Sequence, residues 1–142
     1  MKDTFIAKKS ITINAPASKV WDALTNPAMI KQYLFGTDAI SDWKVGSPLI
    51  YKGMWEGKAY EDKGKILRLE PNKLLETTYL SGNSGLPDIP ENYNKVTYEL
   101  TPHDNQTTVS LTQDNNPTEE ARDHAQNNWG MVLEGLKTLL EQ

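Results

Sequence analysis

The end of the chain most narrows what it can fold into. Asn116-Pro117-Thr118-Glu119 has the makings of a helix start, with an Asn to cap, a Pro at the first position and a Glu near the positive end of the dipole. From there Ala121, Ala125, Trp129, Val132, Leu133, Leu136, Leu139 and Leu140 share one apolar stripe, while Glu120, Asp123, Gln126, Asn127, Glu134, Lys137 and Glu141 cover the rest. A helix over 117–140 is roughly 36 Å long at 1.5 Å per residue. So long a one-sided rod needs a partner surface of its own length, and a sheet supplies one by curling around it.

The rest of the chain supplies such a sheet. In residues 4–14, Phe5, Ala7, Ile11 and Ile13 share one parity, which predicts a strand with one buried face. Pro16, then Val20, Trp21 and Leu24 at helical spacing, predict a short helix, with Trp21 as its anchor against its neighbours. Asn26-Pro27 repeats the cap-then-Pro signal and opens a second short helix through Ile30 and Leu34. Beyond Gly36, runs of β-branched and aromatic residues broken by Gly, Pro and Asn predict antiparallel strands near 37–43, 47–55, 58–69, 74–80, 93–101 and 106–113. The last two form a hairpin: Val96, Tyr98 and Leu100 alternate, as do Val109 and Leu111, around a turn at His103-Asp104-Asn105. The chain shows no internal repeat and no dividing linker, so one domain over 1–142 is expected, with 81–92 as a long loop inside the sheet.

This order of elements is that of the helix-grip fold, and particular residues give it a family. Asn14-Ala15-Pro16 followed by Val20-Trp21-Asp22-Ala23-Leu24-Thr25-Asn26-Pro27 resembles the opening of the activator of heat-shock-protein-90 ATPase homologue-like family, within the START-related SRPBCC superfamily. Gly64-Lys65-Ile66-Leu67-Arg68-Leu69-Glu70-Pro71 is similar to the family's central strand and turn, and Trp129 with Leu133, Leu136 and Lys137 to its closing helix. The likeness runs from about Ile11 to Leu140. It implies an α+β START-like domain with two short helices after the first strand and a curved antiparallel sheet of six or seven strands around the C-terminal helix. It also implies an apolar cavity between that helix and the sheet. Two positions depart from the common pattern: Tyr33 stands where many relatives carry Trp, and Asn128-Trp129 where many carry Gly-Trp. These changes alter the shape of a pocket and leave the fold alone.

Charge and motifs exclude several classes. Net charge is −4 with Lys and Arg scattered, so no basic patch exists for nucleic acid. There is no cysteine, and His103 and His124 fall in a predicted turn and off the helix stripe, so neither a metal nor a cofactor is expected. The N-terminus lacks a signal-peptide core and no apolar run approaches the ~20 residues of a membrane span, which predicts a cytoplasmic protein without membrane insertion. No phosphate loop, His-Glu-x-x-His pair or Gly-x-Ser-x-Gly elbow occurs.

What remains is a pocket. Trp43, Met54, Trp55, Tyr60, Tyr79, Tyr98, Trp129 and Val132 suit its walls, though each also suits a solid core. Asn128, at the border of the apolar stripe, offers an amide to a guest or to solvent. Leu86 and Ile89, set among breakers, suit a lid. Glu56, Glu61, Asp62, Glu76, Glu99 and Arg68 are read as a solvated outer face. The leading expectation is therefore a binder of a small hydrophobic or amphipathic molecule, such as a lipid, polyketide or aromatic metabolite. A cyclase- or hydrolase-like enzyme using the same cavity is the second reading. A chaperone-interacting or regulatory module, implied only by the family's name, is the third, and the lack of a further gripping segment speaks against it.

Overall fold

The computed structural model describes residues 5–34, 36–55, 57–80 and 86–141. Seven strands form one antiparallel sheet in the order β1-β7-β6-β5-β4-β3-β2. They are β1 (Phe5–Ile13), β2 (Asp38–Ser41), β3 (Pro48–Trp55), β4 (Lys58–Glu70), β5 (Leu74–Tyr79), β6 (Asn94–His103) and β7 (Gln106–Asn116). Helices α1 (Ala17–Thr25) and α2 (Pro27–Tyr33) follow β1, and α3 (Glu119–Leu140) closes the described chain. This is the α+β helix-grip arrangement that the element order implies. A sheet that places its first strand beside its last and ends on β2 leaves one concave face for the helices.

Local chemistry sets the boundaries. Asn26 caps α2, its side-chain oxygen accepting from the Ala28 amide at 3.0 Å, and Pro27 takes the first helical position. The start of α3 differs from the sequence reading: Thr118, not Asn116, is the cap, its hydroxyl accepting from the Ala121 amide at 3.0 Å. Asn116 is held elsewhere, buried at the end of β7, where its side chain donates 2.9 Å bonds to the Phe5 and Gln113 carbonyls. An amide engaged with two backbone carbonyls cannot also turn toward a helix N-terminus. The helix is thus 22 residues, or roughly 33 Å.

Alternation then decides what faces α3. Ile13 on β1, Val96, Tyr98 and Leu100 on β6, and Val109 and Leu111 on β7 meet Val132, Leu133, Leu136 and Leu140 in one core. Ile13, Val109, Leu111, Leu133 and Leu136 are at most 1% exposed. Trp21, half-buried, packs against that core from α1. The helix runs beside β1 and β7 and touches α1 and α2, while β3, β4 and β5 lie farther from its axis. Its far end is clamped: Glu141 accepts from the Asn14 amide at 2.8 Å, and the Lys137 ammonium donates to the Thr12 carbonyl at 3.0 Å.

Candidate functional site

The concave face changes character as it leaves α3. Cross-strand register puts Tyr51 of β3 opposite Asp62 of β4, Gly53 opposite Tyr60, Leu75 opposite Tyr98, and Tyr98 opposite Leu111. Paired residues share a face, so this face carries Tyr51, Asp62 and Tyr98 together with Tyr79, whose hydroxyl donates to the Asp62 carboxylate at 2.9 Å. Tyr33 descends from α2, buried, its hydroxyl donating to the Ala23 carbonyl at 2.9 Å. Trp129 reaches the seam from α3. Its ring meets Tyr98 edge-on, centroids 6.1 Å apart and planes at 87°, and its indole N–H donates to Gln113 at 2.7 Å. The result is an aromatic seam that holds, among the described residues, the Asp62 carboxylate.

Two of these phenols differ from the others. Tyr98 is only 8% exposed and Tyr51 is half-buried, yet neither hydroxyl has a hydrogen-bond partner among the described residues. Among those same residues no side-chain nitrogen or oxygen is both sealed off and unbonded, so both phenol oxygens border open space. Burial pushes the Tyr51 phenol well up, and the Asp62 carboxylate adds to it. Burial likewise raises Tyr98, with Tyr51, Tyr33 and Tyr79 contributing in that order, and raises Tyr33, with Tyr51 next. All three stay protonated near neutral pH, and Tyr51 and Tyr98 are available as neutral donors while Tyr33 already donates to Ala23.

The residues anticipated from sequence are dispersed around this seam. Tyr79, Tyr98 and Trp129 belong to it, and Val132 lies buried in the adjoining core. Trp43 is half-buried at the rim, in the β2–β3 connection, with a left-handed backbone (φ +56°) and its amide donating to the Ser41 hydroxyl at 3.0 Å. Tyr60 lies across Gly53 and bonds the Thr37 hydroxyl, filling the edge of the concave face. Met54 has the opposite parity to Tyr51 and is 61% exposed on the convex side. Asn128 faces solvent on α3. The side chain of Trp55 lies outside the described residues.

Leu86 and Ile89 are 54% and 39% exposed, in a segment anchored to the convex face. There Asp88 pairs with Lys63 and takes the Tyr93 hydroxyl, while Asn92 donates to the Pro87 carbonyl at 2.9 Å. A cleft of about 350 Å³ opens between this segment and the sheet, lined by Gly64, Lys65, Thr78, Asp88, Pro90 and Tyr93. A second, of about 460 Å³, runs along the outer flank of α3 beside Lys9 and Met131. Neither is bounded by the seam's tyrosines.

Sequence reasoning overlooked Tyr51 and named Tyr33 only as a departure that alters the shape of a pocket, and it placed Asp62 on the solvated outer face, where the structure instead puts it half-buried on the concave one. The signal for Tyr51 was its parity with Leu49, buried on the same strand. Asp62 had no such signal of its own, because its face follows from the β3–β4 register. His103 makes a 3.2 Å hydrogen bond with the Thr108 hydroxyl on the surface, and His124 is exposed. Among the described residues no three His, Asp or Glu side chains stand together as a metal site, and no helix is long and apolar enough to cross a membrane.

A curved sheet gripping one long helix, with an aromatic seam beyond the helix, defines a START-like protein of the SRPBCC class. Residues 14–141 match the family model described as activator of Hsp90 ATPase homolog 1-like protein, and the chain belongs to that family. Among solved structures it is similar to ChR145 from Cytophaga hutchinsonii, at 50% identity over 99% of this chain and 97% of that one, TM-score 0.86. It is also similar to Aha1 from Colwellia psychrerythraea, solved as a dimer, at 26% identity over 96% of both chains, TM-score 0.75. The protein MLL2253 from Mesorhizobium loti matches at 26% identity over 98% of this chain and 97% of that one, TM-score 0.72. No curated protein matches the chain.

Proposed function

We propose that this chain binds a small amphipathic molecule on the concave face, its apolar body between the sheet and the helices α2 and α3, its polar end at Tyr51 and Tyr98. The observation that carries the reading is the pair of phenol hydroxyls, Tyr51 and Tyr98, that border open space on the concave face without protein partners among the described residues. A hydroxyl that borders open space and bonds nothing in the protein is free to meet a ligand's polar end, and a net hydrogen bond there is worth about 0.5–1.5 kcal/mol. The flanking rings of Tyr33, Tyr79 and Trp129 provide the apolar walls such sites use. Membership of a family with a helix-grip fold is consistent with this and names no ligand.

An acid–base enzyme on the same surface is the second reading, favoured by the Tyr79–Asp62 hydrogen bond beside Tyr51. Binding is preferred because the seam's upward-shifted phenols make weak acids and Asp62 already accepts a proton donor from the protein.

The test is a titration of isotope-labelled protein with apolar molecules bearing neutral, anionic or cationic ends, read by NMR. Saturable shifts at the Trp129 indole N–H and the Tyr98 amide are expected, weakened at least tenfold in a Tyr51→Phe, Tyr98→Phe double variant. Saturable shifts confined to Lys65, Thr78 and Tyr93, around the convex cleft, would overturn the reading.

A further inference from the structure

The outer flank of α3 carries two features that packing within the chain does not explain. Gly130 sits inside a 22-residue helix, where glycine is less favourable than alanine because it loses more backbone freedom on folding. A Cβ there would first meet the Lys9 side chain, its Cε 3.0 Å away, and that is the far end of an exposed, flexible group able to swing aside. Gly135, by contrast, lies against Tyr33 of α2. Met131, next to Gly130, is 60% exposed. The two stand together in the groove of about 460 Å³, with Lys9 beside them and Asn127 and Glu134 one turn to either side.

We infer that this groove is where a second copy of the chain docks, α3 against α3, as an antiparallel pair about a two-fold axis passing between Gly130 and Met131. Residues 127 and 131 form one ridge along the helix and 130 and 134 the next, with the groove between them. Turned about that axis, each Met131 falls on the other copy's Gly130, and each Asn127 on the other copy's Glu134. A knob meets a hole, and an amide that donates meets a carboxylate that accepts. With no side chain at Gly130, the helix axes can close to about 8 Å, the near end of the range for packed helices. Met131, unbranched and polarisable, adapts to so shallow a seat. A two-fold contact uses one patch twice and has to complement itself, which this one does in shape and in polarity.

The polar groups around the groove are available for it. Lys9, Asn127 and Glu134 are exposed and, among the described residues, none of their side chains makes a hydrogen bond or ion pair. The Lys9 ammonium, beside Gly130, stands about one turn from the other copy's Glu134 and gives that carboxylate a cation as well as an amide. Ridges of this kind cross at about 50°, which carries Glu120 and Glu141, near the two ends of α3, away from their counterparts. Each copy carries a net charge of −4, and the contact spans roughly two helical turns per copy, so pairing is weak, with a dissociation constant on the order of 100 µM.

The experiment is sedimentation equilibrium of the full chain from about 10 µM to about 1 mM, where a monomer–dimer equilibrium is expected. Met131→Asp and Met131→Lys should each weaken pairing at least about tenfold, because like charges then meet at the axis, and an equal mixture of the two should recover it to within about threefold of wild type. Gly130→Ala should raise the thermal midpoint of the dilute monomer while weakening pairing at least about threefold. A wild type still monomeric at about 1 mM, a dimer as tight in both Met131 variants as in wild type, or a mixture no tighter than its parents overturns the inference. Should a variant fail to fold, the concentration dependence of wild-type amide shifts still decides: movement centred on residues 127–134 supports the pairing, and movement centred elsewhere overturns it. Either result leaves the binding reading of the concave face standing.

Discussion

The two halves of the concave face belong to one continuous ladder of strands, yet they are sealed in different ways. Under α3, the strands β1 and β7 present Ile13, Val109 and Leu111 to Leu133 and Leu136, all at most 1% exposed. Beyond the helix axis, β3, β4 and β5 present Tyr51, Asp62 and Tyr79, all half-buried, and β6 adds Tyr98. The first half meets its partner with hydrocarbon alone, and burial of that kind needs no directional match. The second half combines phenols and a carboxylate whose partners must be supplied individually, and for two hydroxyls the protein supplies none. The comparison teaches that the helix secures the fold over one half and leaves chemistry to the other.

The largest effect that sharpens this contrast belongs to the helix side. Leu136 is fully buried, and Leu136→Ala should destabilise by about 2–5 kcal/mol, the range for leucine truncations that leave a cavity. The denaturant midpoint, at unchanged slope, is the measurement. A cost under about 1 kcal/mol would mean the helix side is loosely packed and the contrast wrong.

On the other side the most sensitive position is a backbone contact. A Cβ on Gly64 would collide with the Thr78 carbonyl where β4 lies against β5, next to the register shift between Ile66 and Arg68. Gly64→Ala should therefore cost about 1–3 kcal/mol by forcing the strands apart. Amide exchange should quicken along β4 and β5 before it does along β1 and β7. Uniform quickening across the sheet would show that the halves do not loosen separately.

That asymmetry also explains how much was legible in the sequence. Apolar periodicity is strong wherever a strand or helix buries hydrocarbon, so α3, the β6–β7 hairpin and β1 could all be read with their faces correctly assigned. The start of α3 was misread because Asn116 resembles a cap, and only the tertiary structure shows its amide bonded to Phe5 and Gln113. The seam was less legible for a related reason. Tyr, Asp and Met carry weak face preferences, so Met54 looked like a wall residue and Asp62 like a surface one until cross-strand register fixed each. The loop segment with Leu86 and Ile89 was drawn to the convex face by the Lys63–Asp88 ion pair, which no local pattern announces.

Within the seam the phenols divide into bonded and unbonded, and removing single oxygens separates them. Tyr79→Phe deletes a donor to a carboxylate and should cost about 1.5–3 kcal/mol, the range for hydrogen bonds to charged groups. Tyr51→Phe and Tyr98→Phe delete hydroxyls that bond nothing in the protein, and should change stability by no more than about 0.5 kcal/mol. Equal losses in all three would show that Tyr51 and Tyr98 have partners within the fold, and the case for a guest would go with them.

The smallest effect concerns the clamp that ends α3, far from the seam. The Glu141 carboxyl lies below its ordinary range, first because the Lys137 ammonium bonds it and then because the Asn14 amide does. A folded-state pKa below the unfolded value of about 4.3 means its contribution is complete above that pH and is lost as the pH falls through the folded pKa. Denaturant midpoints for wild type and Glu141→Gln should therefore differ slightly at pH 7 and converge below about pH 4. Because the clamp is exposed, the difference should also shrink with added salt. A gap that persists unchanged to pH 3 would assign the effect to the shape of the side chain, and would place the hold on α3 wholly in the apolar half of the sheet.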